Sequence, residues 1–165
     1  MLSAGGIAMT TAHLFSKSEL VNTADNGTVE NSIDEHFNGV EKSDVRVQNT
    51  GNVDAYVRVT FVPVWLDSEK NPTTLKTDGT YGITLNTDDW FKGSDGYYYC
   101  KKAIAPQKFT PVLIKSCTIA SGLGVEYYGK SFDFQVLTQS IQSNPQKAVT
   151  EVWNVSVDEK GELTG

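Results

Sequence analysis

The strongest constraint on the fold is the alternation of apolar and polar residues over positions 44–65. Apolar side chains recur at every second position on both sides of a central turn: Val45 and Val47 before it, and Val57, Val59, Phe61 and Pro63 after it. A period of two is typical of a half-buried strand, because successive strand side chains point to opposite faces. The turn at residues 49–52 contains residue types that tolerate a positive φ angle. The stretch therefore predicts two strands joined as an antiparallel β-hairpin.

Other segments carry the same alternation. Strands are predicted at residues 28–33, 81–85, 110–119 and 132–136, and a strand, a tight turn and a second strand at residues 90–100. Residues 138–142 either extend the last strand or turn helical. About eight to ten short strands at this spacing predict an all-β fold, a jelly-roll-like antiparallel β-sandwich with one or two short helices.

One segment favours a helix. Asn144 is suited to the N-cap and Pro145 to the first helical position of a short helix over residues 144–153. Val149, Val152 and Trp153 would then form its buried stripe. The sequence predicts this as a minor element beside the strands.

The length of the chain limits the number of domains, and its net charge limits the classes of partner. At 165 residues the chain is most simply one domain. Residues 1–12 begin with a small, apolar run and can be interpreted as the remnant of a signal segment or as an ordinary terminus, which leaves residues 13–165 as a single β-sandwich domain. The net charge of −6, without a basic run, argues against nucleic acid and anionic lipid as partners. No segment is long and apolar enough for a membrane span.

The residue types that catalysis needs are few. The two histidines, His13 and His36, do not form a His-Glu-x-x-His motif, so solvated surface histidines are the simpler interpretation. A metal site that assembles only in space stays open at this point. We expect no catalytic residue, no metal and no cofactor.

Two cysteines, Cys100 and Cys117, lie in apolar, strand-like runs. Folding this part of the chain as a hairpin places them close together, which makes a cross-strand disulfide conceivable. Two buried thiols explain the sequence as well.

An aromatic group raises the question of a carbohydrate-binding face. Tyr97 and Tyr99 share one face of a strand, Tyr98 takes the other, and Trp90 precedes them. Exposed aromatic rings could stack on a sugar. A ladder divided between the core and the surface is the favoured interpretation.

The motifs together resemble those of a known family of exported proteins. The most specific of them is Asn49-Thr50-Gly51 followed by Ala55-Tyr56-Val57-Arg58-Val59. Weaker ones are Ala12-His13-Leu14-Phe15-Ser16, Asn22-Thr23, Gly27-Thr28-Val29, Asp95-Gly96-Tyr97-Tyr98-Tyr99, Ile141-Gln142, Ala148-Val149 and Trp153. In this order they resemble the Gram-positive exported proteins with a SipW-type signal, the relatives of the TasA biofilm-matrix protein and of camelysin.

The resemblance implies secretion, a jelly-roll-like sandwich and extracellular fibres built when an N-terminal strand completes a neighbour's sheet. The donor here would lie within residues 13–28. We therefore expect a secreted or cell-surface structural or adhesive protein without catalysis, whose partners are its own copies or other matrix proteins. A camelysin-like metallopeptidase is one alternative, although the chain has no matching metal-ligand motif. A carbohydrate-binding module is the other.

The hairpin signature also predicts contacts. Arg58 alternates with Val57 and Val59, so it points away from their face, and Tyr56 shares its side. Both side chains are predicted to make cross-strand or partner contacts.

Overall fold

The computed structural model describes residues 19–21, 31–37 and 41–165, and the side chains from residue 45 onward. The described strands are β1 (Glu19–Val21), β2 (Asn31–Phe37), β3 (Glu41–Asn49), β4 (Ala55–Leu66), β5 (Tyr81–Leu85), β6 (Trp90–Lys92), β7 (Tyr98–Cys100), β8 (Ile114–Ile119), β9 (Ser131–Gln142), β10 (Ser156–Val157) and β11 (Leu163–Thr164). A 3₁₀ turn spans Val125–Tyr127 and one helix, α1, spans Lys147–Trp153.

The strands form two main sheets and one small sheet. The five-stranded sheet has the order β1-β9-β4-β7-β6, the four-stranded sheet has the order β2-β3-β8-β5, and β10 pairs with β11. Neighbouring strands are antiparallel except β1 and β9, which run parallel. The predicted all-β class is confirmed. Within the described residues, no helix is long and apolar enough to cross a membrane.

The inner core is the main apolar cluster, and both main sheets contribute to it. Its members from the strands include Val45, Val47, Val57, Val59, Trp65, Trp90, Ile114, Phe132, Phe134 and Val136. Along β4 these residues follow the predicted period of two. The alternation thus identified the buried face of that strand correctly.

A second apolar cluster lies on the opposite face of the five-stranded sheet. We call residues 143–165, which contain α1, β10 and β11, the C-terminal cap. The outer cluster joins the sheet residues Tyr56, Tyr99 and Ile141 to the cap residues Ala148, Val149, Trp153 and Leu163. The amide of Leu163 donates to the carbonyl of Lys101 at 2.7 Å. The cap therefore covers one end of the outer face.

The predicted hairpin at residues 44–65 is wrong in its pairing. Its two strands exist, but β3 belongs to the four-stranded sheet and β4 to the five-stranded sheet. The Asn49 amide donates to the Lys108 carbonyl and the Ala55 amide to the Ile104 carbonyl, so both ends of the turn pair with a third segment. The turn is an arch between the two sheets.

Asn49 builds this arch with its side chain. Its Nδ2 donates to the carbonyls of Val53 and Ile104 at 2.8 and 2.7 Å, and its Oδ1 accepts from the Gly51 amide at 3.0 Å. An amide that links three backbone groups fixes the path of the turn. The residue types of the turn are the same in such an arch and in a hairpin. The sequence pattern therefore predicted a pairing that does not form.

The other strand predictions differ in detail. The strand at residues 81–85 is β5, and the hairpin at 90–100 is the antiparallel pair β6 and β7. The predicted strand at 110–119 begins later, at Ile114, and residues 138–142 extend β9. Of the strand predicted at 28–33, residues 31–33 belong to β2, and residues 28–30 lie outside the described residues.

Helix α1 begins at Lys147, after its N-cap Gln146, and not at Pro145. The predicted burial of Val149 and Trp153 is confirmed, but Val152 is 44% exposed and Ala148 is buried instead. These buried positions place α1 against the outer face of the sheet.

Candidate functional site

The N-terminal strand closes one edge of the five-stranded sheet. β9 pairs with β4 over its whole length, and with β1 at residues 139–141. We call residues 139–141 the acceptor segment. Its parallel partner β1 has three residues, Glu19–Val21, so a short piece of the N-terminal region completes the sheet here.

The end of β9 is buried although its sequence is polar. Thr138, Gln139, Ser140 and Gln142 are all 5% exposed or less. Buried polar groups normally require hydrogen-bond partners. The hydroxyl of Thr138 has no such partner among the residues that the structure describes. This polar strand end contrasts with the phenylalanines at the other end of β9.

Arg58 holds the acceptor segment from the outer face of the sheet. It lies opposite Gln139 on β9 and opposite Tyr99 on β7. Its Nε donates to Gln139 Oε1 at 2.7 Å. Its Nη1 donates to the Tyr99 hydroxyl at 3.0 Å and to Asp95 Oδ2 at 3.2 Å. The predicted cross-strand contact of Arg58 is confirmed.

Aromatic rings enclose the same guanidinium group. Its carbon atom lies 4.2 Å from the ring centre of Tyr97, 4.8 Å from Trp153 and 5.8 Å from Tyr99. Rings at these distances attract a cation, and more strongly when water is excluded. The Arg58 side chain is 15% exposed and its Asp95 partner 41%. We call Arg58, Asp95, Tyr97, Tyr99, Gln139 and Trp153 the Arg58 cluster.

Two tyrosines of this region resist ionisation. Burial raises the pKa of Tyr99, and the hydrogen bond that its hydroxyl donates to Asp95 at 2.7 Å raises it further. Burial also raises the pKa of Tyr56, with a smaller effect from the negative charge of Asp158. The hydroxyl of Tyr56 donates to the Gly161 carbonyl at 2.9 Å. Both phenols therefore stay neutral well above neutral pH and act as hydrogen-bond donors.

The Arg58 cluster is suited to positioning. Its guanidinium donates hydrogen bonds to Gln139, Tyr99 and Asp95 and lies against aromatic rings on the same side of the sheet. Through Gln139 it connects the cap to the acceptor segment, and Ile141 of the same segment packs in the outer cluster. The cap, the cluster and the edge that receives β1 thus form one connected unit.

The residues proposed as an aromatic binding face do not share one face. Tyr97 and Tyr99 lie in the outer region near Arg58, whereas Trp90 belongs to the inner core. Trp90 and Tyr99 are each 1% exposed, so neither ring is accessible to a sugar. Phe91 stacks on Tyr99 at 5.1 Å and accounts for part of that burial.

The two cysteines lie in different sheets. Cys100 in β7 pairs with Trp90, and Cys117 in β8 pairs with Ile83 and Lys42. The hairpin that would have brought the cysteines together does not form, and both are buried. Burial raises the pKa of the Cys100 thiol to about 12. A thiol of this kind is a poor nucleophile at neutral pH.

The structure describes the side chain of neither histidine. His13 lies outside the described residues, and of His36 only the backbone in β2 is described. Among the described residues, no three His, Cys, Asp or Glu side chains come together as a group able to hold a metal ion.

Sequence reasoning missed Asp95, Gln139 and Trp153 as neighbours of Arg58. Asp95 has the sequence signature of a turn residue, and its Oδ1 does accept from the Tyr97 amide. Gln139 and Trp153 are distant in sequence. The register of β4 against β9 brings Gln139 to Arg58, and the packing of α1 on the outer face brings Trp153 there; no spacing motif encodes either contact.

Comparisons with protein-family models, with curated proteins and with solved structures gave no match to this chain.

Proposed function

We propose that this chain is a secreted or cell-surface structural protein, a jelly-roll-like β-sandwich without catalysis, whose copies assemble by exchanging their N-terminal strands. The strand that would be exchanged is β1. The partners of the protein would be other copies of the same chain or other matrix proteins that offer the same kind of strand.

One observation carries the proposal, namely the pairing of β1 with the acceptor segment at the edge of the five-stranded sheet. Strand addition at a sheet edge relies on backbone hydrogen bonds, which do not depend on whether the added strand comes from the same chain. A contact of three residues is small enough for one β1 to replace another. The family resemblance of the Asn49–Arg58 region supports the same assembly.

The rigidity of the acceptor segment also supports the proposal. Gln139 is held by Arg58, and Ile141 is fully buried beneath the cap. A preorganised edge loses little conformational freedom when a strand binds, which favours association.

Electron microscopy of the purified chain tests the assembly. Full-length protein should form filaments, and deletion of residues 1–28 should abolish them while circular dichroism still reports folded β-structure. A synthetic peptide of residues 13–28 should bind the truncated protein. The same peptide with Leu20→Pro is the control and should not bind, because proline cannot donate a backbone hydrogen bond within a strand.

Two results would contradict the proposal. One is filaments that persist after the deletion. The other is a full-length chain that stays monomeric at every concentration tested while the peptide fails to bind.

A further inference from the structure

We infer that the outer edge of β5 is a second interface, at which β5 of one copy pairs antiparallel with β5 of another about a two-fold axis at Ile83. This interface lies in the four-stranded sheet and does not involve β1. It therefore goes beyond the proposed function and does not depend on it.

The register of β5 shows which of its backbone groups face outward. In the β5–β8 pair, Gly82 lies opposite Thr118 and Thr84 opposite Ser116. At the start of the ladder, the Ala120 amide donates to the Thr80 carbonyl. Because antiparallel pairs alternate along a ladder, Gly82 and Thr84 direct their amides and carbonyls towards β8.

Tyr81, Ile83 and Leu85 consequently direct their amides and carbonyls away from the sheet. The amide of Asn86 donates to the Leu113 carbonyl, which preserves the same alternation beyond the bulge at Leu85. None of the outward amides and carbonyls of these three residues has a hydrogen-bond partner within the described part of the chain. Unpaired strand groups of this kind are a template for another strand.

The composition of β5 leaves this edge unprotected. Its sequence, Tyr-Gly-Ile-Thr-Leu, has no charge and no proline. The other outer strands of the two main sheets differ, because β1 and β6 have three residues each and β2 contains Asp34, Glu35 and a bulge. Short length, charge and bulges are the usual means of blocking edge pairing.

A second β5 fits this edge because the strand is complementary to itself. With the axis at Ile83, Tyr81 lies opposite Leu85 of the other copy, and the outward groups can form about six hydrogen bonds. The side chains of these three residues are half-buried at the margin of the inner core. Pairing would cover their exposed parts and make the two cores continuous. No charge of β5 opposes its counterpart.

Disulfide trapping tests the register directly. In the paired state, Gly82 and Thr84 of the two copies form a non-hydrogen-bonded pair, with Cα atoms about 4.5 Å apart. This distance suits a disulfide. A Cβ at position 82 would lie 3.6 Å from Thr118 Oγ1, an ordinary contact. A mixture of full-length Gly82→Cys and Thr84→Cys chains should therefore give a cross-linked heterodimer under mild oxidation.

The control mixture combines Gly82→Cys with Thr118→Cys. Thr118 is exposed on the same outer face but lies one strand further from the edge. The wild-type chain, whose native thiols are both buried, gives the background. Equal yields of heterodimer from the two mixtures would overturn the inference.

A charge at the edge provides a second, independent measurement. Thr84→Lys should lower the association constant for dimerisation about threefold, as measured by sedimentation equilibrium, because the two lysines would be diagonal neighbours across the paired strands and like charges there repel. Thr118→Lys, which makes the same charge change away from the edge, should leave that constant unchanged. A self-association that responds equally to both lysines, or no self-association of the wild type up to millimolar concentration, would overturn the inference. Chains that lack residues 1–28, and therefore cannot form filaments through β1, should still give the cross-link.

Discussion

The inner face of the five-stranded sheet packs against a second sheet, whereas one end of its outer face packs against the C-terminal cap. In the inner core the contacts are divided among many aromatic rings. Trp65, for example, lies edge-on to both Tyr127 and Phe132, with ring centres 5.0 and 5.1 Å away. Outside, the guanidinium of Arg58 is the centre of the contacts.

The two faces therefore depend on different physics. Burial of apolar surface is non-directional and is spread over the inner core, so any one contact has a modest share. The Arg58 cluster depends on directed hydrogen bonds and on ring geometry, so it is sensitive to the shape and charge of one side chain. Mutations on the two faces should differ in size and in how far their effects spread.

The largest effect is expected in the inner core. Trp65 is fully buried, and its Nε1 donates to Thr80 Oγ1 at 3.1 Å. Trp65→Ala would leave a large cavity and remove one of the two hydrogen bonds of the Thr80 hydroxyl, so the free energy of unfolding should fall by about 3–5 kcal/mol. Equilibrium denaturation in urea measures the change.

A matched change on the same strand provides the control. Val62 is 57% exposed on the outer side of β4. Val62→Ala should alter the free energy of unfolding by no more than about 0.5 kcal/mol. Comparable losses from Trp65→Ala and Val62→Ala would mean that the inner core is not where the stability resides.

The inner core was also the more predictable of the two regions. The period of two grouped Val57 with Val59 on one face of β4 and Phe132 with Phe134 on one face of β9, because side-chain direction in a strand depends on position alone. Which strands become neighbours is not encoded in that period. The arch at Asn49 shows this, since the same alternation fits a hairpin and a connection between sheets.

The outer cluster was only partly predictable for the same reason. The pattern placed Arg58 and Tyr56 on the face opposite the valines, but it could not identify Gln139 as the partner. That contact depends on the register of β4 against β9, which is set by the whole ladder. Directed contacts between distant segments require a register, and short motifs do not supply one.

An intermediate effect is expected at Arg58. Lysine keeps the charge but lacks the planar fork, so it cannot reach Gln139 and Tyr99 together while lying between two rings. Arg58→Lys should lower the free energy of unfolding by about 1.5–3 kcal/mol, the range for hydrogen bonds to a charged group. It should also increase amide hydrogen exchange in the cap, while exchange in β3 and β8 stays slow.

Arg46→Lys is the matched control for this prediction. Arg46 also lies over an aromatic ring, 4.2 Å from the centre of Phe109, but that ring is 37% exposed. Its replacement should change the stability by less than about 1 kcal/mol. If Arg58→Lys and Arg46→Lys were equivalent, the Arg58 cluster would not have the central role on the outer face that we assign to it.

The smallest effect concerns alkaline pH. The folded-state pKa of Tyr99 is raised by burial and by its bond to Asp95, above the unfolded value near 10. The folded state therefore retains the phenol proton to higher pH than the unfolded chain does. The contribution of the Tyr99 phenol to the free energy of unfolding is fully present below pH 10 and is lost as the pH rises through the folded-state pKa.

Replacing Tyr99 should change the pH dependence as well as the stability. Tyr99→Phe removes the titrating group, so above pH 10 the urea midpoint of this variant should fall less steeply than that of the wild type. Tyr128→Phe, at a ring that is 72% exposed, is the control and should keep the wild-type slope. Tyr56 in the outer cluster, Tyr81 at the margin of the inner core and Cys100 within it also have raised pKa values, so a residual alkaline loss is expected in every variant. If the Tyr99→Phe slope equalled that of the wild type, the alkaline loss would arise from groups outside the Arg58 cluster, and that cluster would have no particular sensitivity to alkaline pH.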